Sequence, residues 1–169
     1  MVWYTKNIKK RSKVLKVIDK AMKRINILKS SDDKLAYNQL KELLILSDKS
    51  YELYVFFDEF VEMMNNTSNS YIRTRGLRLI AYNSKWDKEN KVNAIILEYL
   101  KHIEDDKPIT SRQCIKDTVI IAKNKPELIT VIIDALERIT KIYEPSMQSL
   151  IYKDRQKAIR QIKELMWED

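Results

Sequence analysis

Glycine is almost absent from this chain. One, Gly76, occurs in 169 residues, where average usage of about 7% would give roughly twelve. β-Hairpins, phosphate-cradling loops and dinucleotide-binding folds need positive φ or close backbone approach, and the scarcity argues against all three. The single cysteine, Cys114, cannot form an internal disulfide. One cysteine and one histidine, His102, are too few for a Cys/His metal site. No run approaches the roughly 18 apolar residues of a membrane span, so no transmembrane segment is expected. No apolar segment with a small-residue cleavage site opens the chain, and the expected location is cytoplasmic.

Charge is plentiful and unevenly placed. Residues 1–29 contain ten basic side chains and one acid, Asp19, whereas the remaining 140 residues carry 22 basic and 23 acidic ones. The basic balance therefore belongs to a leader helix, 1–29, in which Lys9, Lys13, Lys16 and Lys20 are candidates for contact with an acidic surface. Nucleic acid, anionic lipid and acidic protein all fit that description.

The apolar residues that are present repeat one pattern. Leu53, Phe56, Phe57, Phe60, Val61 and Met64 form one copy; Val92, Ile95, Ile96, Tyr99, Leu100 and Ile103 a second; Leu128, Val131, Ile132, Ala135, Leu136 and Ile139 a third. Each reads i, i+3, i+4, i+7, i+8, i+11, a broad stripe on one helical face. The copies start at 53, 92 and 128, intervals of 39 and 36 residues. A period near 40 in an all-helical chain is the mark of stacked helix pairs. The fold expected is all-α, a short HEAT-like α-solenoid in one domain, 1–169. Its parts are the leader helix, helix pairs at 33–65, 70–104 and 108–141, and a capping helix at 145–169. The Asn, Thr and Ser run at 65–70 marks the clearest internal boundary. Pro108, Pro126 and Pro145 each suit a first helical turn.

Few residues suggest catalysis, and no catalytic set is assigned. A triad would have to use His102, which reads as a structural or surface histidine near a helix end. Asp105-Asp106 reads as a cap or loop, and Cys114 as a buried thiol. The arginines say more. Arg73, Arg75 and Arg78 cluster near residue 75, and Arg75 and Arg112 lie 37 apart, close to the repeat period. They either brace neighbouring repeats or face a shared anionic ligand, which planar guanidinium suits. Trp86 beside Asp87 either plugs the space between repeats or offers an aromatic for stacking or partner anchoring.

The wording of residues 68–155 resembles a family of small bacterial HEAT-like proteins often labelled "SufBD protein". The resemblance is carried by Tyr71–Ala81, Asn83–Asp87, Tyr99–His102, Lys107–Ile115 and Ser146–Ile151. It implies a helical-repeat fold, and its label implies a link to iron–sulfur cluster assembly. A weaker likeness is to alkylpurine DNA glycosylases built from HEAT-like repeats, which present Trp, Asp and Arg on a basic concave face. Trp86, Asp87 and Arg112 are the counterparts here. The reading favoured is a non-enzymatic binding or scaffold module, without cofactor or metal, that docks a protein or other macromolecular partner. The alternatives are a nucleic-acid-binding relative of the glycosylases and an iron–sulfur accessory protein.

Overall fold

A computed structural model describes residues 15, 16 and 18–167. The chain falls into two compact units, Met1–Glu42 and Leu43–Asp169. Among the described residues there are helices and turns and no strand. In chain order the helices are α1 (residues 18–27), α2 (Asp33–Lys49), α3 (Phe57–Met64), α4 (Ser70–Asn83), α5 (Lys91–Leu100), α6 (Pro108–Asn124), α7 (Ile129–Glu137) and α8 (Pro145–Leu165). No helix among them is long and apolar enough to cross a membrane.

In the first unit, Ile25, Leu28, Ala36 and Leu40 are buried. Arg24 donates to the Glu42 carboxylate at 2.9 Å. Lys16 is exposed, and so is Lys20 on α1. Lys9 and Lys13 lie outside the described residues.

The second unit is built on the repeated stripe. Phe57, Ile96 and Ile132, which hold the same place in the three copies, are 1%, 5% and 0% exposed. Helix α4 packs on α3 and on α6, and α6 packs on α8, so α4, α6 and α8 form one contiguous row. Helices α3, α5 and α7 supply the stripe residues that pack against it.

The helices of the stripe are shorter than their pattern predicts. The first copy begins in a 3-10 helix, Tyr51–Phe56, capped by Ser50, whose hydroxyl accepts the Glu52 amide. The second copy's helix starts only at Lys91, because Asn90 adopts φ 56, ψ 32 and turns the chain just before α5. It ends in a second 3-10 helix, Lys101–Glu104. The third leaves the helix after Glu137, and the Thr140 and Lys141 amides are instead taken by the Glu104 carboxylate, both at 2.7 Å. All three prolines open a helix: Pro108 α6, Pro126 a 3-10 turn and Pro145 α8.

Gly76 explains the closest packing. A Cβ at this position would meet Met64 N at 2.5 Å, Phe60 O at 2.7 Å and Met63 Cβ at 2.8 Å. Only a residue without a side chain lets α4 press on the α3 backbone. The 65–70 run, expected as a boundary, therefore links two intimately packed helices. Asn66 and Asn69 build it, accepting the Ser68, Asn69, Tyr71 and Ile72 amides.

Candidate binding face

Polar ties between neighbouring elements recur at similar sequence distances. Asn83, the last residue of α4, donates its amide to Ser47 Oγ at 2.9 Å, 36 residues back. Asn124, the last residue of α6, donates to Ser84 Oγ at 2.9 Å, 40 residues back. A lysine follows each: Lys85 reaches the Asp48 carbonyl and carboxylate, and Lys125 reaches the Asp87 carbonyl at 2.7 Å and carboxylate at 3.1 Å. Thr74 and Thr110 share a 2.8 Å hydroxyl bond between α4 and α6.

Asp87 is the centre of the densest of these ties. Its carboxylate accepts the Tyr54 hydroxyl at 2.6 Å and the Lys91 and Val92 amides at 2.8 and 2.9 Å, which caps α5 from outside the helix. Burial alone would raise its carboxyl. The Tyr54 hydroxyl, the two amides and the Lys125 ammonium overcome that and hold it below the usual range. Trp86 is fastened close by. Its indole N–H donates to Ser47 O at 2.6 Å, Tyr51 meets it edge-on at 6.4 Å, and Lys85 lies over the ring.

The arginines divide in the same way. Arg73 makes a bidentate pair with Asp105 at 2.6 and 2.7 Å and also donates to Asn66 O. His102 adds a 3.0 Å contact to the same carboxylate, and the Lys107 amide adds another at 2.9 Å. Burial opposes ionisation of Asp105, but His102, Arg73 and that amide hold its carboxyl well below the carboxylate range. Arg75 is buried, with its guanidinium 5.9 Å from the Tyr71 ring centre. Arg112 pairs with Asp154 at 2.6 Å, joining α6 to α8. Trp86 and Arg112 are not brought together. The bonds from Asn124 and Lys125 place Trp86 and Asp87 at the C-terminal end of α6, about 18 Å of helical rise from Arg112.

Two groups escaped the pattern reading. Asp117 on α6 is 3% exposed and faces Arg78 of α4 at 3.6 Å. Gln113 donates to one of its oxygens at 3.0 Å, and the other oxygen and Arg78 Nε have no hydrogen-bond partner. Burial pushes the Asp117 carboxyl up to about 6, against the opposing pull of Arg78, Gln113 and Lys116. Lys125 is the second: 7% exposed, it was readable only as a residue before Pro126. Cys114 is fully buried, and burial raises its thiol well above the ordinary value. Among the described residues no three His, Cys, Asp or Glu side chains converge as metal ligands.

Charge is sorted by row. Helix α4 carries Arg73, Arg75 and Arg78 and no acid. Helix α6 carries Arg112, Lys116 and Lys123, and its one acid, Asp117, is buried. Helix α8 carries Lys153, Arg155, Lys157, Arg160 and Lys163 against Asp154 and Glu164. The opposing elements reverse the sign. The first stripe segment carries Glu52, Asp58, Glu59 and Glu62 and no basic residue, and the third carries Glu127, Asp134 and Glu137 against Arg138. The second is balanced: Lys91 and Lys101 against Glu98 and Glu104. The near-neutral total thus contains a basic row, α4/α6/α8, offset chiefly by the acidic first and third stripe segments.

No protein-family model matches the chain, and no curated protein or solved structure matches it at a significant level.

Proposed function

We propose that this protein is a non-enzymatic docking module, a short HEAT-like α-solenoid whose α4/α6/α8 row engages an acidic protein partner. The observation that carries the reading is the sorting of charge onto that row. The solenoid reading is supported by the matched ties at Asn83 and Asn124, which hold successive elements in one register at about the spacing of the apolar stripe. Most arginines are already committed: Arg73 to Asp105, Arg112 to Asp154, Arg78 to Asp117. Lys116 and Lys163 also pair, with Asp154 and Glu137; Lys123, Lys153 and Lys157 are left to meet a partner, which suits electrostatic complementarity more than directional phosphate recognition.

A second reading, nucleic-acid binding, draws on the same basic row and on Tyr71 and Tyr152, which are 59% and 58% exposed. The glycosylase likeness contributes less to it, because Trp86 and Asp87 are tied down within the fold and stand apart from Arg112.

Photo-crosslinking separates the two. A photoreactive residue at Lys116, exposed on α6, should give nuclease-resistant protein adducts. The same residue at Leu97, exposed on α5, should not. Adducts only to nucleic acid would promote the second reading, and equal labelling from both positions would remove the first.

A further inference from the structure

The basic row contains a recess. It lies between the C-terminal ends of α4 and α6, has a volume of about 470 Å³ and is lined by Tyr82, Lys85, Val119, Ile120, Lys123 and Asn124, with Asp48 at its edge. Its lining is mixed. Val119, Ile120 and the Tyr82 ring supply apolar surface that is half-exposed. Lys123 is exposed and, among the described residues, has no carboxylate partner. Asp48 is the only acid at the edge, and Lys85 already occupies it. The solvent-facing charges of α6 are all positive, because Asp117 is buried. The recess therefore offers aliphatic contact beside an unpaired ammonium, with no unpaired acid to repel an anion.

We infer that this groove docks a peptide segment of the partner that carries an aliphatic side chain next to a carboxylate. The inference rests on the docking reading above and names the chemistry of what is docked. Aliphatic surface does little for a phosphate backbone, and nucleobases bind best to open aromatic faces. Here the one ring in the groove, Tyr82, has the Arg78 guanidinium 5.8 Å from its centre. An amphipathic segment satisfies both halves of the lining, its apolar side chain on Val119 and Ile120 and its carboxylate on Lys123.

The test uses fluorescence anisotropy of the full chain with short labelled probes: a Glu/Leu peptide, its Gln/Leu and Glu/Ser counterparts, and an oligothymidylate. The Glu/Leu peptide should bind about tenfold more tightly than either counterpart. Lys123→Glu should lose that advantage while melting as wild type does, and Lys157→Glu on α8, outside the groove, should keep it. Equal affinity for Glu/Ser and Glu/Leu would overturn the groove, because charge alone would then suffice. Equal losses in Lys123→Glu and Lys157→Glu, with acid preference retained, would also overturn it while leaving the basic row standing. Failure to prefer Glu/Leu over Gln/Leu would overturn both readings, and a preference for the oligothymidylate would hand the row to nucleic acid.

Discussion

Asp105 and Asp117 are buried carboxylates that each face an arginine, yet they bind protons in opposite senses. Asp105 has hydrogen bonds to spare, and its carboxyl is held low, so its contribution to stability is present above the ordinary carboxylate range and lost as pH falls through the lowered value. Asp117 has one partner for two oxygens, and burial dominates. Its folded-state value near 6 exceeds the unfolded value of about 3.9, so its contribution is fully present below about pH 4 and lost as pH rises through 6. Asparagine mimics the protonated form. Asp117→Asn should therefore stabilise the protein at pH 8 by about 1–3 kcal/mol and leave it unchanged at pH 4, as read from urea midpoints. An equal effect at both values would contradict the burial argument. Gly76→Ala tests a different force. Alanine gains about 1 kcal/mol of helix propensity, but overpacking costs about 1–3 kcal/mol, and two of the three close contacts are backbone atoms that cannot turn aside. The net should be a loss, and a variant melting above wild type would show that α3 and α4 can separate freely. Neither site was visible beforehand. An aspartate in a charged helix reads as solvated until a neighbouring helix covers it, and a lone glycine does not say which backbone it will meet.

At the scale of elements, the apolar stripe was the legible part. Its shared positions Phe57, Ile96 and Ile132 are buried as the spacing requires. Helix ends were less legible, because they depend on acceptors far away in sequence. Glu104 draws the Thr140 and Lys141 amides away from α7, and no local pattern around residue 140 announces that. The partner of Arg112 is equally distant in sequence. Arg112 and Asp154 are 42 residues apart, their side chains only 21% and 13% exposed. Arg112→Ala and Asp154→Ala should each destabilise the protein. In a double-mutant cycle they should couple by about 0.5–3 kcal/mol, because removing Asp154 strips the largely buried Arg112 of its carboxylate and removing Arg112 leaves Asp154 only the longer Lys116 contact at 3.5 Å. Additive losses in thermal or urea melts would show that the pair does not brace α6 against α8.

At the scale of the whole molecule, the count that misled was net charge. Taken over 140 residues it is close to zero, and it hides a basic row because the positive helices α4, α6 and α8 alternate with helices that are acidic, α3 and α7, or balanced, α5. The alternation was present in the sequence, but it has no meaning until α4, α6 and α8 are known to be neighbours. The docking reading therefore has two basic regions to offer a polyanion: the leader, residues 1–29, and the α4/α6/α8 row. Lys9, Lys13, Lys16 and Lys20 changed together to Glu should reduce retention on heparin without abolishing it. Further reversal of Lys116, Lys123 and Lys157 should abolish it. Complete loss with the first four alone would mean that the row takes no part. The sorting of charge also bears on the rate of encounter. Packed helices lie about 8–10 Å apart, and the screening length at physiological ionic strength is about 8 Å. From a distance the basic row and the acidic segments largely cancel, and an anionic partner of the proposed kind would feel the row only near contact. On the docking reading, capture from afar would fall to the ten basic side chains of residues 1–29, and the row would govern how long the partner stays.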